Sequence, residues 1–357
     1  MTSALSWPLV LNKLASKKDL NRAEATWSLE QIMTGQVELG TVSAFMIGLR
    51  HKGESVDEIS GLVDAMLANS LKLNTGSNAV DIVGTGGDLI GTVNISSMAS
   101  VLTASAGIPV LKHGSRSASG KTGSSEMLEA LGIRLDLDAS QVAEVFENTG
   151  ITFFFAPVFH PAMRHVGPIR KLLAVPTTFN FLGPLANPAQ PIATSLGVAN
   201  RLVAPLLAQE LAARGRSGLV FRGNDGLDEL STCSGNDIWQ VSGGEVSQFA
   251  LNAKDFGVAE ASIEQLLGGD AIQNAQVARG LFAGKTSGNY GAIKDIVILN
   301  AAGGVVSYEL ARDSSRADVD LNLRFTDAIQ KVTLALESGS TLQKLDEWIA
   351  ATNQSAS

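Results

Sequence analysis

The chain is predicted to be an α/β protein: a small N-terminal helical bundle domain followed by a large α/β domain with a mainly parallel central sheet. Three observations carry that expectation. Apolar residues in the first seventy positions recur at helical spacing. Beyond them, short apolar runs end in glycine-rich turns that open helices. With 45 % hydrophobic and 17 % charged residues, a chain of 357 can bury a large core.

Leu20, Ala23, Trp27, Leu29, Ile32 and Met33 fall on one helical stripe, Val42, Phe45, Met46 and Leu49 on a second, and Ile59, Leu62, Val63, Met66 and Leu67 on a third. Gly35 and Gly53 punctuate these runs, and Asp19 or Asn21 and Ser55 are candidate N-caps. Residues 71–78, rich in Asn, Gly and Ser, read as a linker. Strands are expected at 79–83, 108–111, 152–155, 194–198 and 218–221, with helices at 95–106, 125–131, 140–148 and 202–214. Such alternation implies parallel pairing with both sheet faces covered. A hairpin around Gly243-Gly244 and helices near 271–282 and 325–337 complete the C-terminal part. Residues 160–173 read as one further helix, bounded by Pro161 and ending before Pro176, that packs against the bundle in place of the sheet. The expected division is therefore 1–72, completed by helices within about 160–186, against 73–159 and 187–350.

Acidic residues outnumber basic ones by 35 to 27, a net charge of −8, which argues against a sequence-independent grip on nucleic acid. No apolar stretch approaches the roughly 20 residues that span a bilayer. The single cysteine, Cys233, excludes an intramolecular disulfide and a cysteine-clustered metal site. A cytoplasmic protein is expected. The charges are unevenly placed: no acid lies between Asp88 and Glu126, and none between Glu147 and Glu210, where composition leads one to expect about six. Lys112, Arg116, Lys121, Arg164, Arg170, Lys171 and Arg201 remain there. Apolar segments poor in every charge are the plainer reading; the sharper one is that these stretches line a site for an anion, which a carboxylate would repel.

Three motifs bear on that site. Gly84-Thr-Gly-Gly-Asp88 follows a strand and precedes Thr92, Asn94, Ser96 and Ser97 at a helix start, so backbone N–H groups, hydroxyls and the helix N-terminus converge as a phosphate cradle requires. It is not the dinucleotide fingerprint, because Leu89 stands where the third glycine belongs. The loop from Lys112 to Ser125 is a second anion-binding candidate that misses the P-loop pattern by the Ser at 115. Gly223-Asn-Asp-Gly-Leu-Asp228-Glu229 supplies three acids at a strand end, hard oxygen donors that suit Mg²⁺ beside phosphate. His160 and His165 lack the spacing of a zinc helix and read as packing residues. Together these suit one substrate with several phosphates and a second that carries a carboxylate.

In order and spacing, Asp81-Ile-Val-Gly-Thr-Gly-Gly-Asp88, Asn94-Ile-Ser-Ser97, Lys112-His-Gly-Ser-Arg116, Gly123-Ser124, His160-Pro161, the run Phe179–Pro188 and Gly226-Leu-Asp-Glu229 resemble the anthranilate phosphoribosyltransferases of the tryptophan pathway across nearly the whole chain. The Lys-His-Gly loop separates it from the pyrimidine nucleoside phosphorylases, which share the fold. The resemblance implies transfer of the phosphoribosyl group from 5-phosphoribosyl 1-pyrophosphate to anthranilate, with Mg²⁺, in a cleft between hinged domains. It also implies a homodimer formed through the helical domains. By matching position, Gly84, Gly87, Asp88, Thr92, Asn94, Ile95, Ser96 and Ser97 would hold the donor, with the loop Lys112, His113, Gly114, Ser115, Arg116, Ser117, Ala118, Ser119 and Gly120, and with Ser124. Ser96, Asp228 and Glu229 would hold the metal, Gly84, Ser115 and Arg170 anthranilate, and Lys112 and Arg170 would serve catalysis. The family usually carries Asn at 115, so Ser115 departs at a substrate position. A paralogue using another aromatic amine stays open, as does a non-catalytic nucleic-acid-binding relative, though the latter should be basic and should lack the glycine loops and metal acids.

Overall fold

A computed structural model of the chain describes residues 5–73, 75–116 and 122–355. Helices α1 (Trp7–Ala15), α2 (Arg22–Met33), α3 (Leu39–Lys52) and α4 (Val56–Ala68) form the N-terminal bundle. Capping boxes start α2 at Asn21 with Glu24 and α4 at Ser55 with Glu58, each worth about 1 kcal/mol. Asp19 is not a cap; its carboxylate takes Lys52 Nζ at 2.6 Å. The fully buried Glu58 also accepts Leu20 N and Lys52 Nζ, both at 2.8 Å, so one carboxylate ties three segments together. Gly61 lets α2 and α4 touch, since a Cβ there would overlap Arg22 O.

The remainder runs β1 (Val80–Gly84), α5 (Ile95–Ser105), β2 (Val110–Gly114), α6 (Ser124–Ala130), α7 (Ala139–Thr149), β3 (Ile151–Phe155), α8 (Ala156–Phe159), α9 (Gly167–Leu173), β4 (Ala193–Gly197), α10 (Ala204–Ala213) and β5 (Ser217–Gly223). Then follow β6 (Gly235–Ser242), β7 (Glu245–Asn252), α11 (Ile263–Leu266), α12 (Ala271–Phe282), α13 (Tyr290–Arg312), α14 (Leu321–Glu337) and α15 (Ser340–Gln354). The seven strands are ordered β3-β2-β1-β4-β5-β6-β7, the first five parallel and the last two antiparallel. Gly243 and Gly244, both at positive φ, make the expected two-residue turn between β6 and β7.

Alternation along the strands splits the core in two. Ile82, Leu219, Phe221 and Ile238 face one apolar cluster with α5, α13 and α14; Val83, Val220 and Trp239 face another that runs through α10 into the bundle. That second contact is reinforced where Arg214, the C-cap of α10, donates to Ser60 O and Asp64 Oδ1 of α4, both at 2.9 Å.

One expectation fails, and one helix lies where none was expected. Residues 160–173 are not one helix but a 3₁₀ turn, Pro161–His165, and the short α9; Pro168 lacks an N–H and fits only a first helical turn, so it restarts the helix. Both pieces lie against α2 and α3. The longest helix described, α13, carries no amphipathic stripe because it is buried from Ile296 through Ser307, and it contains Gly303 and Gly304. In place, those glycines let it pass close under the sheet: a Cβ at 304 would come within 2.5 Å of Ile82 and one at 303 within 2.9 Å of Leu230.

Candidate active site

The chain leaves β1 for β2 and β3 on one side and returns to β4 on the other, so the carboxyl ends of β1 and β4 form the switch point where open α/β sheets bind ligands. Gly84 and Gly197 are register partners there. The segment bearing Asp228 and Glu229 rests directly on them: a Cβ on Gly84 would overlap Asp228 Oδ2, and one on Gly197 would overlap the Asp228 carbonyl. Gly86 N donates to Asp228 Oδ2 at 2.6 Å, and Gly86 and Gly87 both hold positive φ, which the tight turn of the loop requires.

Glu229 closes the other side. Its Oε1 accepts Ser96 N at 3.1 Å in the first turn of α5, where an anion is favoured. Asp88, Asp228 and Glu229 therefore crowd together. Burial, then the charge of Asp88, pushes Asp228 up to about 7; burial, then Asp228, pushes Glu229 well above the carboxylate range; and burial raises Asp88. Lys112 is the nearest compensating cation, and it is only 1 % exposed. Its ammonium donates to Ile82 O at 2.6 Å and Ser96 Oγ at 3.4 Å, standing between Asp81 and Glu229. The expected catalytic Lys112 thus braces Ser96 from inside the protein, with burial lowering its pKa. Asp81, pushed up to about 6 by burial, accepts His113 N and Asn187 Nδ2.

This acid-rich group fits a divalent cation by the chemistry of its donors: two buried carboxylates and the Ser96 hydroxyl are hard oxygens with too little positive charge around them. Among the described residues no cluster of three or more His, Cys, Asp or Glu is arranged to hold a metal alone. Ser97 Oγ is buried without a partner, while Ile95 is buried and its N–H is taken by Val93 O at 2.8 Å.

At the end of β2, Gly114 is required by crowding, since a Cβ there would sit 2.5 Å from Ser124 Oγ and 2.8 Å from the Phe153 ring. Ser115 and Arg116 are exposed; Ser124 Oγ donates to Ser115 O, and Arg116 pairs with Glu129 at 3.1 Å over the Phe155 ring. The expected donor residues Ser117, Ala118, Ser119 and Gly120 lie outside the described residues. His113 Nδ1 and His160 Nε2 bond to the carbonyls of Gly183 and Ala186, so both histidines pin the 183–186 segment, as packing residues do. Thr92 pairs with Leu267, which brings the 267–274 segment beside the first loop. There Asn274 Nδ2 donates to Asn94 Oδ1 at 2.8 Å, and Thr122 Oγ1 to Gly269 O at 2.9 Å.

Arg170, on α9, is half-buried with no ion pair among the described residues, and burial lowers its pKa. Arg164 is exposed and bonds to the His165 ring. Sequence reasoning missed Gly197, Asn274 and Asn300. The usable signal was a lone Asn in the apolar run Ile296–Val306 and a glycine ending a strand.

The family model for the glycosyl transferase family a/b domain matches residues 76–342, and that for its helical bundle domain matches 8–70. An anthranilate phosphoribosyltransferase from Leifsonia xyli subsp. xyli is 49 % identical over 352 residues, which cover 99 % of this chain and 100 % of that one. The crystal structure of the Thermus thermophilus enzyme superposes with a TM-score of 0.86 at 34 % identity, covering 96 % of this chain and 99 % of that one. The Saccharomyces cerevisiae enzyme in complex with PRPP and Mg gives 0.84 at 26 % identity over 98 % of each chain.

Proposed function

This chain belongs to the anthranilate phosphoribosyltransferase family, and from that premise we propose how its residues divide the work. The protein is an enzyme that transfers the 5-phosphoribosyl group from 5-phosphoribosyl 1-pyrophosphate to the amine of anthranilate, giving N-(5-phosphoribosyl)anthranilate and pyrophosphate, with Mg²⁺ as cofactor. The observation that carries our assignment is the buried pair Asp228 and Glu229 seated on the glycine loop and the α5 N-terminus.

Asp228, Glu229 and Ser96 hold the metal, which when bound neutralises charge that develops on the departing pyrophosphate. Gly84, Gly87, Asp88, Thr92, Asn94, Ile95, Ser96 and Ser97, with the Lys112–Gly120 loop and Ser124, hold the donor phosphates and sugar. Lys112 acts through Ser96 as a positioning group. Arg170 takes the anthranilate carboxylate, supported by its lack of an ion pair among the described residues, and Gly84 and Ser115 complete the acceptor site. An aniline nitrogen is already a nucleophile, so the amine attacks the ribose C1 as the C–O bond to pyrophosphate breaks, and its proton passes to solvent. Alignment within the cleft supplies most of the rate, and hinging of 1–72 with 160–186 against 73–159 and 187–350 would close it.

The role is a step of tryptophan biosynthesis in the cytoplasm. A homodimer through the bundle is favoured by the exposed Leu39 and Ile47 on α3, 50 % and 40 % accessible. No helix of the described residues is long and apolar enough to cross a membrane. Pyrophosphate release measured with and without anthranilate, with Mg²⁺ and with excess chelator, tests the reading. Turnover of a different aromatic amine in preference to anthranilate would replace it.

A further inference from the structure

We infer that Asn300, far from the glycine loops in sequence and in contact with none of the groups assigned to substrate, is a positioning residue for the metal carboxylates. The proposal rests on the reading of Asp228 and Glu229 above. Asn300 lies in the middle of α13 and is fully buried. Its Oδ1 accepts Leu230 N at 2.9 Å, and its Nδ2 donates to Leu230 O at 2.9 Å and Ile296 O at 2.9 Å. The side chain therefore engages both backbone groups of the residue that follows Glu229, as a neighbouring strand would. The segment has no strand on that side, so without Asn300 a buried N–H and C=O would be left unpaired. Asparagine is a poor choice for a buried helix interior on propensity alone. Its presence is explained by the clamp, and Gly303, one turn on, gives Leu230 the room to sit there. With Gly84 and Gly197 below and Asn300 behind, the two carboxylates are fixed from three directions.

A second asparagine does the same for the donor loop, on independent contacts. Asn274 is 2 % exposed; it donates to Asn94 and accepts Gly269 N at 2.8 Å, while Thr122 Oγ1 reaches Gly269 O. Asn274 thus ties the start of α5 and the end of the Lys112 loop to one anchor.

The two assignments separate experimentally. Outer residues of metal sites change metal affinity by roughly 10- to 100-fold. Asn300→Ser and the volume-keeping Asn300→Leu should weaken Mn²⁺ binding to the resting protein by that factor, read from loss of the free-ion paramagnetic resonance signal. They should raise the half-saturating Mg²⁺ in turnover to match, with the anthranilate KM moved less than about 3-fold. Asn274→Ser should instead raise the donor KM by roughly 5- to 30-fold and leave Mn²⁺ binding unchanged. Hydrogen exchange of the Leu230 amide in the unmodified protein gives a measure that no folding failure can obscure: it should be as slow as the amides of β1. Normal Mn²⁺ binding in folded Asn300 variants, or fast Leu230 exchange, overturns the positioning role. Absence of Mn²⁺ binding by the unmodified protein, both alone and with pyrophosphate, overturns the metal assignment on which it rests.

Discussion

Replacing Gly197 by Ala tests whether the seat of Asp228 and Glu229 is what the active site depends on. The added methyl would overlap the Asp228 carbonyl and lie 3.2 Å from Glu229 N. Restoring the 3.4–4 Å of ordinary contact requires the Asp228 carbonyl to rise by about 1.7–2.3 Å, because β4 is held on both sides by β1 and β5. Metal ligands tolerate about 0.2 Å, and a displacement of about 1 Å near the chemistry costs about 100-fold. Gly197→Ala should therefore lower kcat/KM at least about 100-fold and raise the half-saturating Mg²⁺ at least about 10-fold. Overpacking also costs stability, about 1–3 kcal/mol, so a control is needed. Gly218→Ala supplies it: its methyl would overlap Thr194 O and its φ of 145° adds backbone strain, so it is at least as large an insult to the same sheet, without contact to residues 228–229. The assay is pyrophosphate release against Mg²⁺ concentration for both variants, with urea unfolding alongside. If both variants lose stability equally and neither changes its Mg²⁺ requirement, the two-glycine floor has no part in metal placement and the reasoning is wrong.

Asp228→Asn combined with Glu229→Gln keeps acceptors for Gly86 N and Ser96 N, so the double variant should fold yet lose most activity at any Mg²⁺ level; near-normal turnover would contradict the metal role. Arg170→Ala should raise the anthranilate KM roughly 10- to 150-fold with donor KM nearly unchanged, while Arg164→Ala does neither. A rise confined to the donor KM would mean that α9 serves the other substrate. Ser115→Asn should lower the anthranilate KM roughly 2- to 10-fold, since an amide reaches about one bond further than the exposed hydroxyl. Loss of turnover in that variant would mark Ser115 as fitted to a different amine. Burial, then the charge of His160, pushes His113 down to about 3. Below its ordinary 6.5 the unfolded chain takes a proton that the fold refuses, costing about 1.4 kcal/mol per pH unit. Between about 6 and 3.8 the proton that folded Asp81 gains offsets that loss. His113→Gln removes only the first effect, so relative to the unmodified protein it should gain about 2.7 kcal/mol between pH 8 and pH 4.5 in urea unfolding. A pH-independent difference would contradict it.

Legibility in the sequence followed the range of the interaction. The cradle at 84–88 is legible because glycine, hydroxyl and helix start are neighbours in the chain, and the acids at 228–229 because they interrupt segments otherwise poor in acid. The bundle stripes and the parallel sheet are legible for the same local reason. Lys112 was visible as a basic residue beside a loop, but nothing local says that its ammonium turns inward to Ile82 O and Ser96. Pro168 was visible and underweighted: it restarts a helix that apolar spacing alone would continue. The helix α13 escaped because burial on all sides removes the periodicity that reveals a helix, and Asn300 and Asn274 escaped with it, since each acts on a residue 70 or 180 positions away.

The placement of α13 also bears on how the protein is made. Its Asn300 and Gly303 meet Leu230, Gly304 meets Ile82, and Tyr308 and Arg312 reach Asn78 just ahead of β1. At about 5–20 residues per second, a ribosome that has finished Glu229 needs roughly 4–14 s more to reach Asn300. During that interval every side chain assigned to donor, metal and acceptor has been synthesised, and the apolar face of β4 and β5 lacks the helix that covers it, α5 being packed on β1. A chain halted near residue 290 would thus carry the complete ligand set and a partly uncovered sheet, prone to aggregate and unable to hold its carboxylates in place.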